Sequence, residues 1–285
     1  MAHRLLTHFK RFGAISALLL GAIPGHAEAS GKDKGILMVH YGTTNDDMRA
    51  RSLEAINADV KSAFPTHEFI EAYTSPAVIT ALEKKGLSYP TLTEALMTLR
   101  GKGITDVVVQ STMLMNGGQT DFVNRECERM RVFYNEMNVG RPLLYTIEDS
   151  RFLANALSRK YAGKASGRHD AVVFVGHGGD NPGTAIYSQL GNMLSETQGN
   201  FFVSTIEGYP GIDNLTTALK HSKAKNVTLV PLLIVGGNHI RKDIEGIWRE
   251  RLEKEGFHVD TETTSLGELP EIRQWIVKKI ASSGD

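Results

Sequence analysis

Eight short runs rich in β-branched residues punctuate the chain, at 35–41, 68–74, 106–114, 142–146, 171–176, 201–207, 226–235 and 258–261. Between them lie stretches with helical periodicity, for example 46–64, 120–137, 184–196 and 240–253. Strand and helix alternating in this way is the pattern of an α/β protein with parallel sheets. The runs at 36–39 and 171–175 are apolar almost without interruption, which suits strands covered on both faces. The plan also repeats. Residues 36–42 align with 172–178, strand to strand and Gly42 to Gly178. Residues 106–119 align without a gap with 226–239, and each ends in a glycine turn leading into a helix. The expected architecture is therefore two similar domains, 30–165 and 166–285, each a parallel sheet flanked by helices, with an active site in the cleft between them. The polar stretch 162–170 reads as the linker.

Residues 1–29 read differently. Arg4, Lys10 and Arg11 precede an apolar run at 12–23, and then come Pro24 and the small-residue sequence Ala27-Glu28-Ala29. That order is the one found in cleavable secretory signal peptides. The run is shorter than the roughly 20 residues that span a bilayer, so the chain is not expected to be membrane-spanning. The expectation is export to the periplasm. Composition narrows the function classes further. With 32 basic and 32 acidic side chains, the sequence lacks the basic excess of a nucleic-acid binder. A single cysteine, Cys127, excludes an internal disulfide and any cysteine-based zinc or iron–sulfur site. Metal chemistry must then rest on histidines, carboxylates or backbone oxygens.

In parallel α/β sheets, ligands sit beyond the carboxyl ends of the strands. Three residues with ligand chemistry end successive strands of the second half: His177, Glu207 and His239. Their spacing is one strand-helix repeat each time, which brings them to one rim. Two imidazoles and a carboxylate suit a divalent first-row metal such as Co²⁺, Fe²⁺, Ni²⁺ or Zn²⁺. Gly178 and Gly237, beside the histidines, allow a flat ligand to approach the backbone. His40 and Tyr41 end the first strand and are expected on the opposite wall. Gln119 falls opposite His239 in the internal alignment, so the first half lacks the equivalent ligand. His67, His169, His221 and His258 read as solvated, Met113 to Met115 as core packing, and Asp46 and Asp47 as first-turn helix acids. Arg125, Arg129 and Arg131 read as a solvated helix face. There is no G-x-S-x-G nucleophile elbow, no G-x-G-x-x-G in a βα context and no Walker loop. A hydrolase reading has no nucleophile.

The segments Val39-His40-Tyr41-Gly42-Thr43-Thr44 and Val175-Gly176-His177-Gly178, together with Glu207 and Gly236-Gly237-Asn238-His239, resemble the anaerobic cobalt chelatases of the CbiK type. These are class II tetrapyrrole chelatases. The resemblance runs from about Lys34 to the C-terminus. It implies two α/β domains around a cleft and ATP-independent insertion of Co²⁺ into the tetrapyrrole sirohydrochlorin. It assigns His177, Glu207 and His239 to the metal, with His177 and Glu207 catalytic. It leaves His40, Tyr41, Gly178 and Gly237 to contact the substrate, and Arg241, Lys242 or Arg125 to steer its carboxylates. Gly179 and Asp180 depart from the family, in which a Thr and a further His are often nearby. Export also departs from a cytoplasmic pathway. An iron chelatase, or a periplasmic carrier of metal or haem, would use the same fold and residues; no histidine is assigned to haem. A homo-oligomer is compatible with the sequence.

Overall fold

The computed structural model describes residues 33–237 and 239–283, without the side chains of residues 239–241. The signal-peptide reading of residues 1–29 lies outside the described residues. The first sheet contains β1 (Lys34–His40), β2 (Glu68–Tyr73), β3 (Asp106–Ser111) and β4 (Glu136–Val139), all parallel, in the order β2-β1-β3-β4. The second contains β5 (Asp170–Gly178), β6 (Phe201–Glu207), β7 (Asn226–Pro231) and β8 (His258–Thr261), all parallel, in the order β6-β5-β7-β8. Two parallel sheets of one topology are what the repeat predicts.

The helices of the first half are α1 (Asp46–Arg49), α2 (Ala55–Ala63), α3 (Pro76–Glu83), α4 (Leu92–Gly101), α5 (Gly118–Met130) and α6 (Ile147–Tyr161). A π-helical turn, Ala50–Glu54, joins α1 to α2. Asn45 caps α1, its Oδ1 accepting from the Met48 N–H at 3.0 Å, and Asp46 and Asp47 sit in the first turn as expected. The second half adds α7 (Ala185–Ser195), α8 (Ile212–His221), a π-helix (His239–Trp248), α9 (Arg249–Lys254) and α10 (Pro270–Ser283). Among the described residues no helix is long and apolar enough to cross a membrane.

Both faces of each sheet are covered, which explains the unbroken apolar runs. In β1, Ile36 and Met38 face a core shared by the two sheets, whereas Leu37 and Val39 pack in a second cluster with α4 and α5. In β5, Val172 and Phe174 enter the shared core and Val173 and Val175 pack outward. Two helices cross over within this arrangement. α6 packs against α7, with the Tyr161 ring edge-on to Phe174 at 5.6 Å and Gln189 donating to Ser150 Oγ at 3.0 Å. α10 returns to α2, where Arg273 donates to Asp59 at 2.8 Å.

Two expected elements differ. Helix α5 stops at Met130, and residues 136–139, expected at or just after the end of a helix, form edge strand β4. Tyr134 is buried between them and donates its hydroxyl to the Leu96 carbonyl at 2.6 Å, which holds the chain out of helix. Residues 142–146, expected as the fourth strand, form no regular strand. Their backbone instead extends the sheet edge locally, Leu143 N–H donating to Met113 O at 2.9 Å and Leu144 N–H to Leu114 O at 2.7 Å. The repeat reproduces this contact: Leu266 donates to Leu233 O at 2.8 Å and Gly267 to Ile234 O at 2.9 Å.

Candidate functional site

Each sheet reverses its strand order beside its first strand, so the crevice belongs at the carboxyl ends of β1 and β3 and of β5 and β7. A cleft of about 570 Å³ lies there. Its walls come mainly from the ends of those four strands and the segments after them: residues 41–44, 112–115, 117–120, 177–178, 181 and 233–237. Among the described residues a hydrogen bond joins the two sides, Thr43 Oγ1 donating to Gly236 O at 3.3 Å.

His177 enters the cleft from the end of β5 and is half-buried. The next residue in the chain fixes its position. Gly178 has φ +79°, and a Cβ there would fall 1.8 Å from the Glu207 carbonyl oxygen. Only glycine fits so close an approach. It lets β5 and β6 remain paired to their last residues, Gly178 opposite Glu207, with Gly179 N–H donating to Glu207 O at 3.1 Å. The ends that carry His177 and Glu207 are thereby locked together. Glu207 itself is exposed and is not among the cleft-lining residues. The backbone of His239 opens the π-helix directly after the Gly236 and Gly237 wall; its side chain is outside the described set. Among the described residues no three His, Cys, Asp or Glu groups gather into a metal-holding set.

Tyr41, Gly178 and Gly237 line the cleft. His40 does not. It is wholly buried beneath the wall, with Nδ1 3.1 Å from Thr112 Oγ1 and Nε2 3.0 Å from Asn57 Oδ1. The reason is strand alternation: His40 points to the same side of β1 as Ile36 and Met38, into the shared core. Burial depresses its pKa to about 4, only partly offset by the bond to Asn57, so the ring is neutral at ordinary pH. Glu71, bonded to Asn57 at 2.8 Å, has its pKa raised chiefly by burial.

Sequence reasoning missed part of the wall. Met113 and Met115, read as core, line the cleft, although Met115 also packs on the shared core. Thr112, Asn181 and Tyr187 line it too; no periodicity singles them out. Gln119 is on the wall, as its alignment with His239 suggested. Of the steering cations, Lys242 and Arg125 are exposed, and the Arg241 side chain is outside the described set. Arg129 and Arg131 pair with Glu126 and Glu128 on the outer helix face. His221 and His258 are exposed as expected; His67 and His169 are half-buried. His169 Nδ1 is within 2.9 Å of the Lys223 carbonyl oxygen. Cys127 is buried, which pushes its thiol up to about 12 and leaves it inert.

Two similar sheets, a shared cleft and His177 at its rim match a particular family. The profile described as "Cobalt chelatase (CbiK)" matches residues 34–284. The chain belongs to the cobalt chelatase family. It is 29% identical over 249 residues to the sirohydrochlorin cobaltochelatase of Salmonella typhimurium, covering 86% of this chain and 94% of that one. A sirohydrochlorin cobaltochelatase of Nitratidesulfovibrio vulgaris is also 29% identical, over 231 residues, covering 79% of this chain and 81% of the relative. Among solved structures, SirB from Bacillus subtilis with Fe³⁺ superposes with a TM-score of 0.64 over 88% of this chain and 96% of its own, at 15% identity. That last likeness is one of fold.

Proposed function

We propose that this chelatase inserts Co²⁺ into sirohydrochlorin, with His177, Glu207 and His239 handling the metal and the protons it displaces. The observation that carries the reading is His177, an imidazole presented into a cleft whose described lining contains no Lys, Arg, Asp or Glu. Such a lining suits the apolar face of a macrocycle, whose charged periphery stays in water. Insertion requires two pyrrole protons to leave as the ion enters. A neutral imidazole supplies the lone pair, first as ligand or as general base. Glu207, tied through the backbone to the strand end of His177, offsets the positive charge that results. His239 closes the set from the opposite glycine turn. The two glycine-rich walls hold the ring, and binding energy gained along it is available to bend it toward the ion. Tyr41, Gly178 and Gly237 contact its faces.

The test is to mix purified protein, sirohydrochlorin and Co²⁺ without ATP and follow the visible spectrum. Conversion to the cobalt complex faster than in a protein-free control is expected; equal rates would refute the reading. The same assay with Fe²⁺ distinguishes an iron chelatase. A carrier of metal or haem would bind its cargo without accelerating insertion.

Residues 1–29 are proposed to direct export, and residues 30–165 and 166–285 to be the two domains. The basic, apolar and small-residue order of the leader supports the first point. The mature protein should then begin near Glu28 or Ser30 and appear in the periplasmic fraction. N-terminal sequencing that found Met1 on the soluble protein would refute export.

A further inference from the structure

A line of polar side chains runs beneath the cleft and takes no part in the metal chemistry proposed for the histidines. It starts at Glu71, whose carboxylate accepts from Asn57. Asn57 Nδ2 donates to Glu71 Oε2 at 2.8 Å, so the amide turns its oxygen toward His40. Asn57 Oδ1, 3.0 Å from His40 Nε2, must be met by an N–H, and this fixes the proton on Nε2. His40 Nδ1 is then a bare lone pair. The group facing it at 3.1 Å is Thr112 Oγ1, which must be the donor. The competing acceptor for that hydroxyl proton, Val39 O, is farther away at 3.4 Å. A hydroxyl has one proton and two lone pairs. With its proton committed to His40, Thr112 keeps two lone pairs free to accept, and Thr112, though only 4% exposed, is among the residues that line the cleft. Full burial keeps the His40 ring neutral, so the direction of the line does not reverse at ordinary pH.

We propose that Thr112 accepts a hydrogen bond from an inner N–H of the metal-free tetrapyrrole, with His40, Asn57 and Glu71 as positioning residues that orient its hydroxyl. The proposal rests on the chelatase reading and adds a basis for telling substrate from product. The free base carries inner N–H donors. The metallated ring has lost them, so the Thr112 lone pair has no donor to meet and the product is held less well than the substrate. The device needs no charge in the cleft, in keeping with the neutral lining.

The experiment is a binding titration, followed by absorbance, of the purified protein with sirohydrochlorin and separately with cobalt sirohydrochlorin. Thr112→Val keeps the shape and removes the acceptor. It should weaken free-base binding about three- to tenfold, the worth of one hydrogen bond, and leave the affinity for the cobalt complex unchanged. Thr112→Ser should restore wild-type preference. His40→Leu, which releases the hydroxyl to Val39 O, should show the same selective loss. Thr112→Ala serves if the valine variant does not fold. Equal loss for both ligands would reduce Thr112 to a structural residue and overturn the proposal, as would no loss for either. Wild-type protein that binds neither ligand would instead overturn the chelatase reading beneath it.

Discussion

Replacing His177 by Ala should lower the rate of metal insertion by about a hundredfold or more, the lower end of what a positioned base or ligand contributes. The thermal midpoint should barely move. His177 is half-buried at a strand end, in an open cleft, and belongs to none of the apolar clusters. With little apolar area to lose, truncation there should cost no more than about 1 kcal/mol, the centre of the range for point mutations. What holds this corner of the fold is the backbone pairing of Gly178 and Gly179 with Glu207, which the substitution leaves intact. His239→Ala should behave alike in activity, and His221→Ala, on an exposed helix end, should change neither property. Activity and midpoint measured together on all three variants decide the matter. Retained insertion in both His177→Ala and His239→Ala would remove these residues from the reaction.

A second large effect should appear on acidification, and it belongs to His40. In the folded protein its pKa is about 4, whereas in the unfolded chain it returns to the ordinary value of 6.5. Between these values the unfolded state binds the extra proton and the folded state does not, so stability falls as pH is lowered. The loss begins near pH 6.5 and is complete near pH 4. A shift of that size corresponds to about 3 kcal/mol. Glu71, 3.9 Å from His40 Nε2, acts in the opposite sense, because its raised pKa makes the folded state take up a proton more readily in acid. Comparison with His40→Gln separates them, since Glu71 is common to both proteins. Urea unfolding at pH 7 and pH 4.5 should show the stability gap between wild type and variant narrowing or reversing in acid. A gap that stays constant would mean that His40 titrates normally.

Both predictions turn on residues that look alike in the chain. His40 and His177 each end the first strand of a half, and their strand-end positions alone would put both on the cleft. The repeat sets them one position apart. In the repeat, His177 matches Tyr41, and His40 matches Gly176. Alternation along the strand then sends His40 down and His177 out. The offset is legible in the repeat, but which face turns inward is not, because β1 is apolar on both faces and contains no polar alternation to show which face is which.

The architecture was legible because its signals are local. Unbroken β-branched runs, glycine turns and helical stretches recur with one period, and two sheets of identical strand order result. The same recurrence is enough to put His177 at a rim. The exceptions are places where local signal is weak. β4 is a four-residue edge strand pairing only with β3, too short and too polar to stand out from the helix before it. The crossing of α6 and α10, the neutral wall of the cleft and the line from Glu71 to Thr112 belong to the tertiary structure alone. His40 meets Asn57 from 17 residues away and Thr112 from 72 residues away. Secondary structure is set by neighbours along the chain, so sequence can specify it. Which side chain becomes acceptor, donor or buried neutral ring is set by partners that only folding brings together.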